Sequence, residues 1–133
     1  MLKRIVLAMA LMLCAASFTV EAAPATKCKI NQSTKEATAE TFLKAMYVYQ
    51  DADAIWSICT PTLQKQLIAK NGSVAKAKAA IKAIWGGFTK DQLDLIKQQV
   101  MNDKVRAEAI KAMLQSAGNA FVKINGKWYI TAM

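Results

Sequence analysis

Histidine is absent from this 133-residue sequence. Its imidazole is the commonest general base near neutral pH, so the group that most acid–base enzymes use is missing. The sequence also lacks a Gly-x-Ser-x-Gly nucleophile motif and a phosphate-binding glycine loop. Three cysteines without histidine are too few ligands for a tetrahedral zinc site. We therefore predict no catalytic residues, no metal site and no cofactor.

Long apolar runs are lacking too, except for one at the N-terminus. Residues 1–4 are short and cationic, residues 5–16 are apolar, and residues 17–25 are small and polar. This is the three-part pattern of a secretory signal peptide, and we predict cleavage after Ala22. The apolar run is shorter than the roughly 20 residues that a spanning helix needs. A retained anchor, or a lipoprotein modified at Cys14, is the alternative.

The predicted leader sets the compartment and the domain organisation. We expect an exported protein, periplasmic or secreted, in which residues 1–22 are the signal peptide. Residues 23–33 are predicted to form an N-terminal arm. Residues 34–133 are long enough for one small domain and too short for two.

Cysteine is scarce, and the predicted cleavage makes its number even. Cys14 leaves with the leader, so Cys28 and Cys59 remain. An even pair in an oxidising compartment predicts a disulfide, and no Cys-x-x-Cys spacing indicates redox chemistry. Closing a loop of this length would stabilise the domain by about 3–4 kcal/mol in the chain-entropy model.

Helical signals dominate the first part of the domain. A capping box at Ser33 and Glu36 precedes an apolar stripe at helical spacing through residues 34–58, with a bend near Gln50. A second helix is predicted from Thr60-Pro61 to Asn71-Gly72. A third is predicted from Ser73 to Gly86-Gly87.

Strand signals are predicted in the remainder. Residues 93–101 alternate, Asn102-Asp103 indicates a turn, and residues 105–114 alternate loosely. Asn125-Gly126 is a strong hairpin signal between Phe121–Ile124 and Lys127–Thr131. Residues 104–115 are rich in Ala, Glu, Lys, Met and Gln, so helix is the alternative there.

Helices followed by strands that close on Gly126-Lys127-Trp128 resemble the nuclear transport factor 2-like (cystatin-like) superfamily, in particular its small exported bacterial proteins of unknown function. An acidic residue near the bend of the first helix, Asp51 or Asp53, and the turn at Asn102-Asp103 add to the likeness. The resemblance implies an α+β fold. Its N-terminal helices would pack on a curved antiparallel sheet of about four strands, around a cone-shaped cavity.

A cone would place aromatic and apolar side chains around a ligand. The candidates for lining it are Phe42, Met46, Tyr49, Trp56, Trp85 and Trp128. Packing in an ordinary core is the alternative. In an enzyme of this superfamily, Asp51 or Asp53 would serve as a base, but two positions apart on a helix they point in different directions and cannot act as a pair.

Acidic residues are missing between Asp53 and Asp91, whereas lysines are frequent there. The formal net charge of the whole chain is +9. A solvated face is one interpretation of these lysines, and an anion-binding patch is the other. The candidate patch consists of Lys65, Lys70, Lys76, Lys78, Lys82 and Lys90.

Three classes of function remain after these exclusions. The first is a non-catalytic binding or accessory protein of the bacterial cell envelope, whose partner is a small apolar ligand, an envelope protein or an anionic envelope surface. The second is an isomerase- or dehydratase-like enzyme. The third is an all-helical cationic membrane-active protein, which requires residues 93–115 to be helical. Nucleic acid is not expected as a partner, because the protein is predicted to be exported and has one Arg after the leader.

Overall fold

The computed structural model describes residues 27–133, so the predicted leader, its cleavage site and Cys14 lie outside the described residues. The described part contains six α-helices and one β-hairpin. The helices are α1 Lys35–Leu43, α2 Ala52–Ile58, α3 Pro61–Asn71, α4 Val74–Ala83, α5 Lys90–Met101 and α6 Asp103–Ala117. The strands are β1 Phe121–Ile124 and β2 Lys127–Ile130.

Helix α1 is the centre of the core. It packs against α2, α6 and β2, and Ala39, Phe42 and Leu43 along it are at most 1% exposed. Its N-cap is Thr34, whose Oγ1 accepts a hydrogen bond from the Ala37 backbone at 2.9 Å. The predicted cap at Ser33 is therefore off by one residue, since Ser33 hydrogen-bonds to the Asn31 side chain instead.

A π-helical turn, Lys44–Val48, continues α1 to the predicted bend. The backbone N–H of Asp51 reaches back to the Ala45 carbonyl at 2.8 Å, and Gln50 adopts a positive φ of 49°. The Met46 carbonyl lies in this widened turn and accepts a hydrogen bond from the indole N–H of Trp85. The turn thus connects α1 to the short 3₁₀ segment Ile84–Gly87 that follows α4.

A side-chain cap begins each of the next three helices, and the caps of α3 and α4 are the predicted ones. Asp51 caps α2, Thr60 caps α3 ahead of Pro61, and Ser73 caps α4. Gly72 ends α3 at a φ of 103°, a left-handed conformation in which a Cβ would be strained. These boundaries confirm the local signals, and the tight turn makes α3 and α4 a helical hairpin.

Residues 90–117 correct the predicted fold class. They form α5 and α6 instead of two strands, so the four-stranded curved sheet and its cone are wrong. Thr89 and Gln92 form a capping box at the start of α5. Asn102, predicted as a turn residue, caps α6 by accepting a hydrogen bond from the Val105 backbone at 3.1 Å.

The physical reason lies in which residues α5 buries. Ile96, Gln99 and Val100 are at most 1% exposed and follow the helical spacing i, i+3, i+4. Because Gln99 is polar, this stripe did not stand out as apolar in the sequence. What remained visible was an incidental alternation of apolar and polar residues over positions 93–101.

The hairpin confirms the Asn125-Gly126 turn, with Phe121 paired to Ile130 and Ile124 to Lys127. Both turn residues have positive φ, 50° and 81°, as a two-residue hairpin turn requires. The outer edge of β2 is held by the rest of the protein. The backbone N–H of Trp128 donates to the Gln32 carbonyl at 3.0 Å, and the backbone N–H of Thr60 donates to the Ile130 carbonyl at 2.9 Å.

Among residues 27–133, no helix combines the length and hydropathy needed to cross a bilayer.

Candidate functional site

The helical hairpin of α3 and α4 carries most of the candidate lysine patch. Lys65 and Lys70 lie on α3, Lys76, Lys78 and Lys82 lie on α4, and Lys90 begins α5. We call α3 and α4, with the five lysines that these two helices carry, the lysine hairpin. All five are exposed except Lys78, which is half-buried. The two helices pack chiefly on each other, and α4 also packs on α2, so the hairpin lies at the periphery.

Within the described residues, Lys78 is the one member of the patch that forms an ion pair. Its Nζ lies 2.8 Å from Asp53 Oδ1. The hairpin itself contains no Asp or Glu, so its remaining lysines have no acidic neighbour on the same helices. Exposed like charges of this density create a positive local potential that attracts anions.

A polar cleft of about 260 Å³ lies beside the hairpin, where Lys27 and Lys82 border Tyr49 and the two candidate carboxylates. Asp51 accepts hydrogen bonds from the backbones of Ala54 and Cys28, both at 3.1 Å, so its carboxylate connects the N-terminal arm to α2. The hydrogen bond from Lys78 is the main reason that the pKa of Asp53 is lowered. Asp51 therefore serves as a structural cap, and the lowered pKa of Asp53 makes its carboxylate a weaker base.

The predicted cavity-lining residues serve the core. Phe42 and Met46 are buried in it, at 1% and 0% exposure. Trp56, Trp85 and Trp128 are half-buried against it, while Tyr49 borders the polar cleft. Lys35 Nζ lies 5.3 Å from the centre of the Trp128 ring, a cation–π contact.

A polar group that sequence analysis missed is the hydroxyl of Tyr47. The residue is 1% exposed, and its hydroxyl has no hydrogen-bond partner among the described residues. Burial raises the pKa of this phenol. Its ring meets Phe88 edge-on, with centroids 6.3 Å apart, so the side chain serves as an apolar contact between the π turn and the segment before α5.

The cysteines are free thiols, which corrects the predicted disulfide. The Cys28 backbone is bonded to Asp51 at the start of α2, whereas Cys59 caps its end. A helix rises about 1.5 Å per residue, so Asp51 and Cys59 lie about 12 Å apart along α2, and the two cysteines are not within disulfide distance of each other. A disulfide needs Cα atoms within about 7 Å. The Cys59 thiol instead donates to the Ile55 carbonyl at 3.2 Å and lies 3.8 Å from the Met133 sulfur.

A second cavity, an open and mainly apolar groove of about 460 Å³, was also missed. We call it the α6 groove. Its lining residues are Glu36, Ala107, Ile110, Lys111, Leu114 and Gln115. Ala107, Ile110 and Leu114 follow helical spacing, a signal that the expectation of a strand over residues 105–114 concealed.

Comparisons with protein-family models, with curated proteins and with solved structures found no match to this chain.

Proposed function

We propose that this chain is an exported, non-catalytic binding protein that attaches to an anionic surface of the cell envelope through the lysine hairpin. The observation that carries the proposal is the separation of charge. Five lysines lie on two adjacent peripheral helices that contain no acidic residue. Near an anionic membrane, each such cation contributes about 1 kcal/mol of attraction.

The contacts of the neighbouring aromatic residues support attachment at the surface. Trp85 and Phe88 flank Gly86-Gly87 beside the hairpin, where exposed aromatics would insert between lipids. Trp85 instead donates its indole N–H to the Met46 carbonyl, and Phe88 contacts Tyr47. Because the core holds both rings, we expect binding by charge.

Residues 93–115 lie in α5 and α6, as the third function class requires, but strands β1 and β2 mean that the protein is not all-helical. Helix α5 buries Ile96 and Val100, and α6 buries Met113, so these apolar residues are committed to the core. This favours binding without disruption of the bilayer. The isomerase alternative loses support, because Asp51 is a structural cap and the pKa of Asp53 is lowered.

Vesicle binding tests the proposal. The purified protein is titrated with vesicles of phosphatidylglycerol and phosphatidylcholine, and with phosphatidylcholine alone. We expect binding to the anionic vesicles only, without leakage of an entrapped dye. Replacing four exposed hairpin lysines by Gln should weaken it at least tenfold, about 1.4 kcal/mol. The variant is K65Q/K70Q/K76Q/K82Q.

A matched control removes the same charge elsewhere, from four exposed lysines of the N-terminal arm, α6 and strands β1 and β2. Its substitutions are K29Q, K104Q, K123Q and K127Q. We expect a decrease of less than threefold, since distant charges are partly screened. Equal losses in the two variants, or no binding to anionic vesicles by the unmodified protein, would reject the proposal.

A further inference from the structure

The α6 groove lies on the flank of α6 that faces the start of α1. Helix α6 directs Ala109, Met113 and Ala117 into the core. Ala107 is exposed, and Ile110 and Leu114 are half-buried, so an apolar strip remains open to solvent. Apolar grooves of this kind are typical of sites that receive another helix.

We propose that the α6 groove is the interface of a homodimer, in which α6 packs antiparallel against α6 of a second copy. The spacing of large and small side chains carries the first step of the argument. If the helices cross at Ile110, Leu114 of each copy lies beside Ala107 of the other. A large side chain then fills the space over a small one on both sides of the crossing, as ridge-into-groove packing requires.

The charges flanking Ile110 are complementary in the same arrangement. Glu108 precedes Ile110 by two positions and Lys111 follows it by one, so Glu108 of each copy lies near Lys111 of the other. Both side chains are exposed, and neither belongs to any ion pair formed within residues 27–133. Because the dimer is two-fold symmetric, the contact between Glu108 and Lys111 occurs twice.

Charge also favours the α6 groove over the rest of the surface as the place where two copies meet. The chain has a formal net charge of +9, so two copies repel each other on average. Among the residues that line the α6 groove the charges balance, because Glu36 accompanies Lys111. The lysine hairpin belongs to other helices, so dimerisation does not bring the two hairpins' lysines into the contact.

The size of the interface sets the expected strength. Helix α6 has 15 residues, about 22 Å, or four turns. One helix pair of this length buries less than a standard interface, so we expect a dimer that forms reversibly with rising protein concentration.

Analytical ultracentrifugation over a range of concentrations, without lipid, tests this inference separately from vesicle binding. We expect the unmodified protein to shift reversibly from monomer to dimer. Ala107→Glu, in the groove, should raise the dissociation constant at least tenfold. Ala112→Glu is the matched control, with the same substitution at another exposed alanine of the same helix. It should dimerise like the unmodified protein, and circular dichroism checks that both variants fold.

Charge exchange gives a second readout that does not depend on steric effects. Glu108→Lys alone should weaken dimerisation, and E108K/K111E should restore it, because the pair is reversed in both copies. A protein that stays monomeric throughout, equal effects of the two alanine variants, or no restoration by the double exchange would overturn the inference. So would a small apolar molecule found on the monomer by native mass spectrometry and displaced by Ala107→Glu.

Discussion

The two buried thiols of this protein have raised pKa values, a property that depends on the surroundings of each residue. Cys59 is 1% exposed at the end of α2, and burial raises the pKa of its thiol from an ordinary 9.0 to about 12. Burial is likewise the main cause that raises the pKa of the Cys28 thiol to about 11. Buried thiols of high pKa are poor nucleophiles, so we expect both to stay reduced in the folded protein.

These raised pKa values predict a loss of stability in alkali. Above pH 9 the unfolded chain releases thiol protons that the folded chain still holds, so the free energy of unfolding falls as pH rises. For a thiol that stays protonated when folded, the slope approaches about 1.4 kcal/mol per pH unit. Below about pH 8 the thiols are protonated in both states and contribute no pH dependence.

Urea denaturation between pH 8 and pH 10 measures this slope. Cys59→Ala should be less stable at pH 8, because it leaves a small cavity, but its stability should fall less steeply with pH. A slope that is unchanged in the variant would contradict the assignment. The mass of the unmodified protein checks the thiols directly, since a disulfide would lower it by two hydrogens.

At the scale of elements, Arg106 connects three parts of the fold. From α6 its guanidinium donates to Glu40 of α1 at 2.7 Å, to the Val100 carbonyl of α5 at 2.8 Å, and to Asp103 at 2.7 Å. The side chain is 14% exposed. Hydrogen bonds to charged groups under partial burial are stronger than exposed ion pairs.

We therefore expect Arg106→Ala to lower the free energy of unfolding by about 1–3 kcal/mol. Arg106→Lys should recover less than half of this loss, because an ammonium group lacks the planar array of donors that reaches three acceptors. Lys104→Ala, two positions earlier and exposed, is the control and should change stability by less than about 0.5 kcal/mol. Full recovery by lysine would show that charge alone is responsible.

At the scale of the whole molecule, the lysine hairpin and the α6 groove differ in charge and apolar character. Attachment through the hairpin relies on exposed charges, which salt screens over about 10 Å at 0.1 M. Contact through the α6 groove relies mainly on apolar side chains, which salt does not weaken.

Salt should therefore separate the two associations. We expect binding to anionic vesicles to fall at least tenfold between about 0.05 and 0.5 M NaCl, whereas the dimer dissociation constant changes by less than about threefold. Co-sedimentation and ultracentrifugation in the same buffers measure both. Vesicle binding that persists at the higher salt would indicate insertion of apolar side chains and would contradict attachment through the charges of the lysine hairpin.

What the sequence determined by itself is local. The caps Thr60 and Ser73, the left-handed stop at Gly72 and the turn at Asn125-Gly126 are correct, because each depends on one side chain's hydrogen bond or on the backbone freedom of one residue. The exposure of four hairpin lysines also follows from sequence, since unpaired lysines are rarely buried; they are Lys65, Lys70, Lys76 and Lys82.

Tertiary structure decided the rest. Helix α5 buries a stripe at helical spacing that includes the polar Gln99, and only the surrounding core shows that this residue faces inward. Cys28 and Cys59 stay apart because α2 separates them, a distance that composition and spacing do not contain. The α6 groove likewise exists only because α1 and α6, distant in sequence, pack together.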